Sequence, residues 1–130
     1  MLIILKSHLK KKYNIPFSEG TLHEFVISAS EQKHRGAKAL DIAKSLLDYG
    51  FYAPTIYFPI NIPESIMIEP TESEDKETLD RFIKAMIEID QNIDIDREKI
   101  VGAPFTTPVS RLDETKANRD LNLRWVKNEV

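Results

Sequence analysis

The chain has 130 residues, 42% of them hydrophobic and 30% charged, which suits one soluble domain long enough to bury a core. A net charge of −3 gives no reason to expect nucleic acid as a partner, and the absence of cysteine excludes disulfides, thiol catalysis and thiolate metal sites. The apolar run Leu2-Ile3-Ile4-Leu5 ends at Lys6, far short of a signal or membrane segment, so a cytoplasmic protein with no membrane partner is expected.

Residues 1–12 read as a short amphipathic helix, with Leu2, Leu5 and Leu9 on one face and Lys10, Lys11 and Lys12 at the end where the helix dipole favours cations. Pro16 and Gly20 break the following connection. Leu22–Ala29 reads as a strand, with Phe25 and Ile27 on one face and Glu24, Val26 and Ser28 on the other. Ser28 to Arg35 is polar and reads as loop. A helix is expected over Ala37–Tyr49, with Ala39, Ala43, Leu46 and Leu47 inward and Gly50 in the C′ position.

Tyr52–Phe58 reads as a strand whose Pro54 demands an edge or bulge position. Pro59–Glu64 is the expected turn, and Ser65–Glu69 a short apolar strand stopped by Pro70. Thr71 and Glu74 form a capping-box pattern for a helix over Ser73–Asn92, whose Leu79, Phe82, Ile83, Met86 and Ile87 give the clearest periodicity in the chain. Asp94–Ile100 extends that helix or forms a short one. From Gly102 onward apolar periodicity is weak, with a marginal helix over Arg111–Leu121. The order predicts an α+β fold: a small, mostly antiparallel sheet with helices on one face.

Pattern alone supplies no complete catalytic set. His8, His23 and His34 lack metal-ligand spacing, and no Gly-rich phosphate loop or nucleophile elbow occurs. His23-Glu24 is an acid–base pair by composition, but neighbours on a strand point to opposite faces. Glu69 and Glu72 bracket Pro70-Thr71 as paired carboxylates, and helix capping accounts for that spacing without chemistry. Phe51, Tyr52, Tyr57 and Phe58 read as packing aromatics.

Longer stretches carry a resemblance. His23-Glu24-Phe25-Val26, the run ALDIAKSLLDYG over Ala39–Gly50, FYAPTIYFP over Phe51–Pro59 and MIEPTES over Met67–Ser73 stand in one order with Lys76-Glu77 and Leu79-Asp80-Arg81-Phe82. Ala103 to Val109 as APFTTPV, Arg111-Leu112-Asp113-Glu114 and Leu123-Arg124-Trp125 continue it. Together these resemble the C-terminal small domain of the glycine-cleavage P-protein, the decarboxylating glycine dehydrogenase, in its two-subunit form.

The resemblance implies the small-domain fold of a fold-type-I pyridoxal-phosphate enzyme. Residues 1–13 would be the stub of an interdomain helix, 14–100 the α+β small domain and 101–130 an arm laid over a partner. It implies an enzyme that decarboxylates glycine and passes the aminomethyl group to the lipoyl arm of H-protein, with P-protein subunit 1 as a further partner. The cofactor would be pyridoxal phosphate, held by a lysine outside this chain, so the chain alone is expected to be inactive. No catalytic and no metal-binding residue is expected within it. The residues expected near the cleft are His23, Glu24, Tyr52, Thr55, Glu69 and Thr71; Tyr52 stands where many relatives carry histidine. The rival readings are a stand-alone ferredoxin-like or ACT-like small-molecule sensor and a purely structural piece completing another subunit. An apolar patch is expected where a large partner docks, with the Leu2-Leu5-Leu9 face as the place for self-association.

Overall fold

Hydrophobic periodicity sets the longest element. In the computed structural model, which describes residues 2–125 and 127, α4 runs Lys76–Ile95 and buries Leu79, Ile83, Met86, Ile89 and Ile93 on one stripe. It begins later than the capping-box pattern predicts. The cap is Asp75, whose carboxylate accepts the Thr78 N–H at 2.7 Å. Thr71 instead sits in the preceding turn: its carbonyl accepts the Glu74 N–H at 3.2 Å and its hydroxyl lies 2.9 Å from that of Ser73. The helix runs on to Ile95. After Asp96 the chain turns into α5, Arg97–Val101.

The sheet has three antiparallel strands: β1 Phe25–Ser28, β2 Thr55–Ile56 and β3 Ser65–Ile68, in the order β1-β3-β2. Register pairs Phe25 with Ile68 and Ile27 with Ile66, so these four side chains share one face. That face joins the helices in one core with Ile42, Leu46, Met86 and Ile89, all fully buried. Each such side chain contributes about 1.5–3 kcal/mol of burial. Val26, Ser28, Ser65 and Met67 share the other face. The α+β expectation of helices on one side of a small antiparallel sheet matches this architecture. The strands are shorter than the patterns suggest, above all β2, where Pro54 lacks the N–H that would lengthen the ladder.

Two further differences have local causes. Ser30–His34, expected as loop, is α2. Its inward residue is the amide Gln32, so no apolar stripe announces it. The helix over Ala39–Asp48, α3, follows the reading closely, and Gly50 takes φ +78° just after the Tyr49 cap, a conformation open to glycine at no steric cost. Finally, α1, Leu2–Leu9, does not offer the expected self-association face. Leu5 and Leu9 are 1% and 0% exposed within the core, and Leu2 packs against it. The helix turns Ile3 and Ile4 outward instead.

Two aspartates tie distant segments together. Buried Asp90 of α4 accepts from the Gln32 amide at 2.8 Å, pairs with the Arg35 guanidinium, and lies 3.4 Å from the Lys12 ammonium. Beside it the Tyr13 hydroxyl donates to the Met86 carbonyl at 2.9 Å, and burial pushes the Tyr13 phenol well above its ordinary pKa. Asp48 of α3 accepts from the backbone N–H groups of Phe105 and Thr106, both at 2.8 Å, and from the Thr106 hydroxyl at 2.8 Å. Arg111 bonds the Ala103 carbonyl and reaches Asp41 at 2.9 Å. The chain is thus strapped to α3 up to Arg111. Beyond that lies a short α6, Glu114–Arg119, with no buried residue.

Candidate functional site

A cleft of about 330 Å³ opens where the segment Phe51–Thr55 splays from the end of β3. Thr55 is the last residue of that segment to pair with β3, opposite Met67. Upstream, Pro54 breaks the ladder and the two strands part. Leu5, Phe51, Leu79 and Phe82 make an apolar floor. Phe51 and Phe82 meet edge to face, 5.3 Å between centroids, and the Arg81 guanidinium lies 5.6 Å from the Phe51 ring centre. These contacts fix the floor by packing and cation–π attraction. Polar groups ring the mouth: the Tyr52 phenol, the hydroxyls of Thr55 and Thr78, and the carboxylates of Glu69 and Glu74.

Of the residues expected near a cleft, the fold brings Tyr52, Thr55 and Glu69 to this one. Tyr52 stands 95% exposed at its lip. Thr71 lies in the turn before α4 and does not line it. His23 and Glu24 line a separate shallow hollow with Phe17, Leu22 and Val26. Residue 23 precedes β1 in a bend, so strand alternation does not hold the pair apart: His23 Nε2 lies 3.9 Å from Glu24 Oε2, both open to water. Sequence reasoning missed Glu74 and Thr78 at the mouth. Their signal was available, since a helix starting at Lys76 puts Thr78 in its first turn beside Glu74.

A second carboxylate arrangement was also missed. Glu64 closes the turn before β3 and is buried there. Its oxygens accept from the Lys33 ammonium at 2.6 Å and from the Ala39 N–H at the start of α3 at 2.9 Å. Burial opposes its charge, but the Lys33 and Ala39 hydrogen bonds outweigh that and hold the carboxyl below its usual pKa. Glu64 and Tyr57 take φ of +50° and +59°, a region costly to residues with a Cβ. These partners over-determine the turn, and its role is to fix α2, α3 and the β2–β3 connection in one frame.

The cleft's chemistry is specific in what it offers. Among the described residues its lining holds hydroxyls and carboxylates but no lysine, arginine or histidine. A cofactor bearing a phosphate and requiring a lysine amine does not fit such a lining, because the mouth is acidic and no amine faces it. An apolar group carrying a cation or a hydrogen-bond donor does fit.

Comparison with known proteins places the chain. The family described as "Glycine dehydrogenase, C-terminal domain" matches residues 3–103. A Chloroherpeton thalassium protein named "Probable glycine dehydrogenase (decarboxylating) subunit 2" is 48% identical over 125 residues, covering 96% of this chain and 25% of that protein. Proteins of the same name from Staphylococcus epidermidis and Bacillus licheniformis are 54% and 55% identical over 93% and 88% of this chain, each matched over 24% of its own length. The chain thus spans about a quarter of the length of these curated relatives. It is a member of the glycine dehydrogenase C-terminal domain family.

Proposed function

We propose that this chain supplies the small C-terminal domain of a pyridoxal-phosphate-dependent, decarboxylating glycine dehydrogenase, the P-protein of a cytoplasmic glycine cleavage system. The observation that carries this reading is the 48% identity, over 96% of the chain, to a relative bearing that name. The intact protein decarboxylates glycine and passes the aminomethyl group to the lipoyl arm of H-protein, working with P-protein subunit 1. The cofactor and its lysine belong to the upstream part of the polypeptide, in keeping with a cleft that does not suit them. Helix α1 then hands the chain from that part into the small domain, residues 14–100 form the domain's body, and the segment from 101 onward is the arm.

Within this reading the chain's own residues cover and shape. Tyr52, Thr55 and Glu69 present hydrogen-bonding groups at one mouth, on a floor made rigid by Phe51 and Phe82. Such a surface can close over a reaction centre, exclude water and orient what enters it. His23, Glu24 and Thr71 lie outside the cleft. Any contact they make with substrate needs the rest of the protein to reach them.

The test has two arms. The longer polypeptide, produced with its partner subunit, should exchange the glycine carboxyl with bicarbonate, and the 130-residue chain alone should not. Borohydride reduction of the short chain mixed with pyridoxal phosphate should label no single lysine. Stoichiometric labelling of one specific lysine would show that the cofactor site is in this chain and would overturn the division of labour.

A further inference from the structure

The connection between β2 and β3 combines a rigid base with a bare apolar tip. No residue between Asp48 and Glu64 is charged, in a chain where 30% of residues are. The base is tied down at several points. The Tyr57 N–H donates to the Ser65 carbonyl at 2.9 Å, the Ala29 N–H to the Glu64 carbonyl at 2.9 Å, and the Ser28 hydroxyl to the Pro63 carbonyl at 2.7 Å. The Glu64 carboxylate adds its bonds to Lys33 and to the Ala39 N–H, and Ile62 is buried. Tyr57 and Glu64 keep their left-handed φ at either end of the tip, a strain that persists only where surrounding contacts hold it. Yet Phe58 is 56% and Ile60 91% exposed. Among the described residues the N–H groups of Phe58, Ile60 and Asn61 have no backbone partner. A turn held in a strained shape presents two large apolar side chains that add little to the core of this chain.

We propose that this tip, with Phe58 and Ile60 as its anchors, docks into an uncharged apolar hollow on the part of the polypeptide that precedes this chain. Two observations choose that occupant. The chain covers about a quarter of its relatives' length and matches a C-terminal domain, so in such proteins the larger part of the polypeptide precedes it. The tip is also fixed in shape before it binds and carries no charge, which suits a folded apolar surface. The Lys33–Glu64 pair then has a second role. It sets the tip in place ahead of contact, so that docking orders less of the chain and costs less. The inference rests on the reading of this chain as the C-terminal part of a longer protein, and does not depend on the chemistry proposed for that protein.

Hydrogen exchange reads this contact without any catalytic assay. The amides of Phe58, Ile60 and Asn61 should exchange freely in the 130-residue chain and about tenfold or more slower in the longer polypeptide. Ile60→Asp should leave the circular dichroism and melting of the short chain unchanged, since the side chain is exposed there. In the longer polypeptide the same substitution should return Phe58 and Asn61 to fast exchange. Glu64→Gln should remove part of the protection, because the tip keeps its apolar anchors but loses its fixed base. Added salt should leave the protection in place, as no charge pair makes it. Protection without any glycine exchange would uphold the docking and count against the chemistry alone. Four results would overturn the proposal: equally fast exchange in both polypeptides, protection of the short chain that grows with its concentration (a second copy takes the tip), protection that appears only when the partner subunit is added, or protection indifferent to Ile60→Asp.

Discussion

Asp90 and Asp48 are both helix aspartates that gather donors from far along the chain, but their settings differ. Asp90 is buried on α4 and collects an amide, a guanidinium and an ammonium from the segments around α1 and α2. Asp48 sits half-buried near the end of α3 and collects two backbone N–H groups and a hydroxyl from one strap. The first holds the body together, and the second fastens an appendage to it. With similar hydrogen-bonding chemistry, burial and the identity of the donors decide how much depends on each carboxylate.

Removing Asp90 should therefore have the largest effect. Asp90→Ala takes one of the two acceptors from the Gln32 amide nitrogen, which keeps the Lys12 carbonyl, and removes the carboxylate between Lys12 and Arg35, of which Arg35 keeps Asp94 at 2.7 Å. Gln32 Oε1 already has no hydrogen-bond partner, so the amide has little slack for rearrangement. Loss of a buried partner costs about 3–5 kcal/mol where its cations stay dry. Arg35 and Lys12 keep 31% and 40% of their side-chain surface in water, so a loss of about 2–3 kcal/mol is expected by urea denaturation. A loss under about 0.5 kcal/mol would make Asp90 no more important than a surface charge and erase the contrast with Asp48.

Asp48→Ala should cost less, about 1 kcal/mol, and should act locally. Amide exchange at Phe105 and Thr106 should speed up while core amides keep their protection. The pH dependence follows from the same contacts. Partial burial opposes the charge, but the Thr106 N–H and hydroxyl and the Phe105 N–H outweigh it and hold the Asp48 carboxyl below its ordinary pKa. Glu64 is lowered too. A carboxyl lowered on folding stabilises the fold above its unfolded pKa and loses that stabilisation as pH falls through its folded one. Both contributions should be intact at neutral pH and fade only below about pH 4. Strap exchange that accelerates already between pH 7 and 5 would show that something other than Asp48 fastens it.

The same contrast explains what the sequence disclosed. Apolar periodicity named α4 and α3 because Leu79, Ile83, Met86, Ala39 and Leu46 face one core, and one stripe suffices to identify such a helix. Helix α2 was illegible because its inward residue is Gln32, whose place is set by the Lys12 carbonyl at 2.8 Å and by Asp90, 58 residues away. The strap was illegible for the same reason: nothing local to Asp48 or Arg111 points to Thr106 or Asp41, which only the fold brings to them. At the cleft, the resemblance pointed to six residues, of which Tyr52, Thr55 and Glu69 line it and His23, Glu24 and Thr71 do not. The floor joins Leu5 to Leu79 and Phe82, which no local window contains.

The smallest expected effect falls on Thr71, and it separates a local rule from its tertiary outcome. Thr71 followed by Glu74 satisfies the capping-box pattern, and Pro70 before it marks the end of β3. Yet the chain needs several more residues of turn before it can enter α4, and the free N–H groups of the helix then meet Asp75. Thr71→Ala removes one exposed hydroxyl contact to Ser73 and should change stability by less than about 0.5 kcal/mol. Asp75→Ala, four residues on, should fray the first turn, with faster exchange at Thr78 and a greater loss of stability than Thr71→Ala. If the two swap ranks, the helix begins at Thr71 after all. Thr78 would then stand nearly two turns into it rather than in the first, and the mouth of the cleft would have to be redrawn.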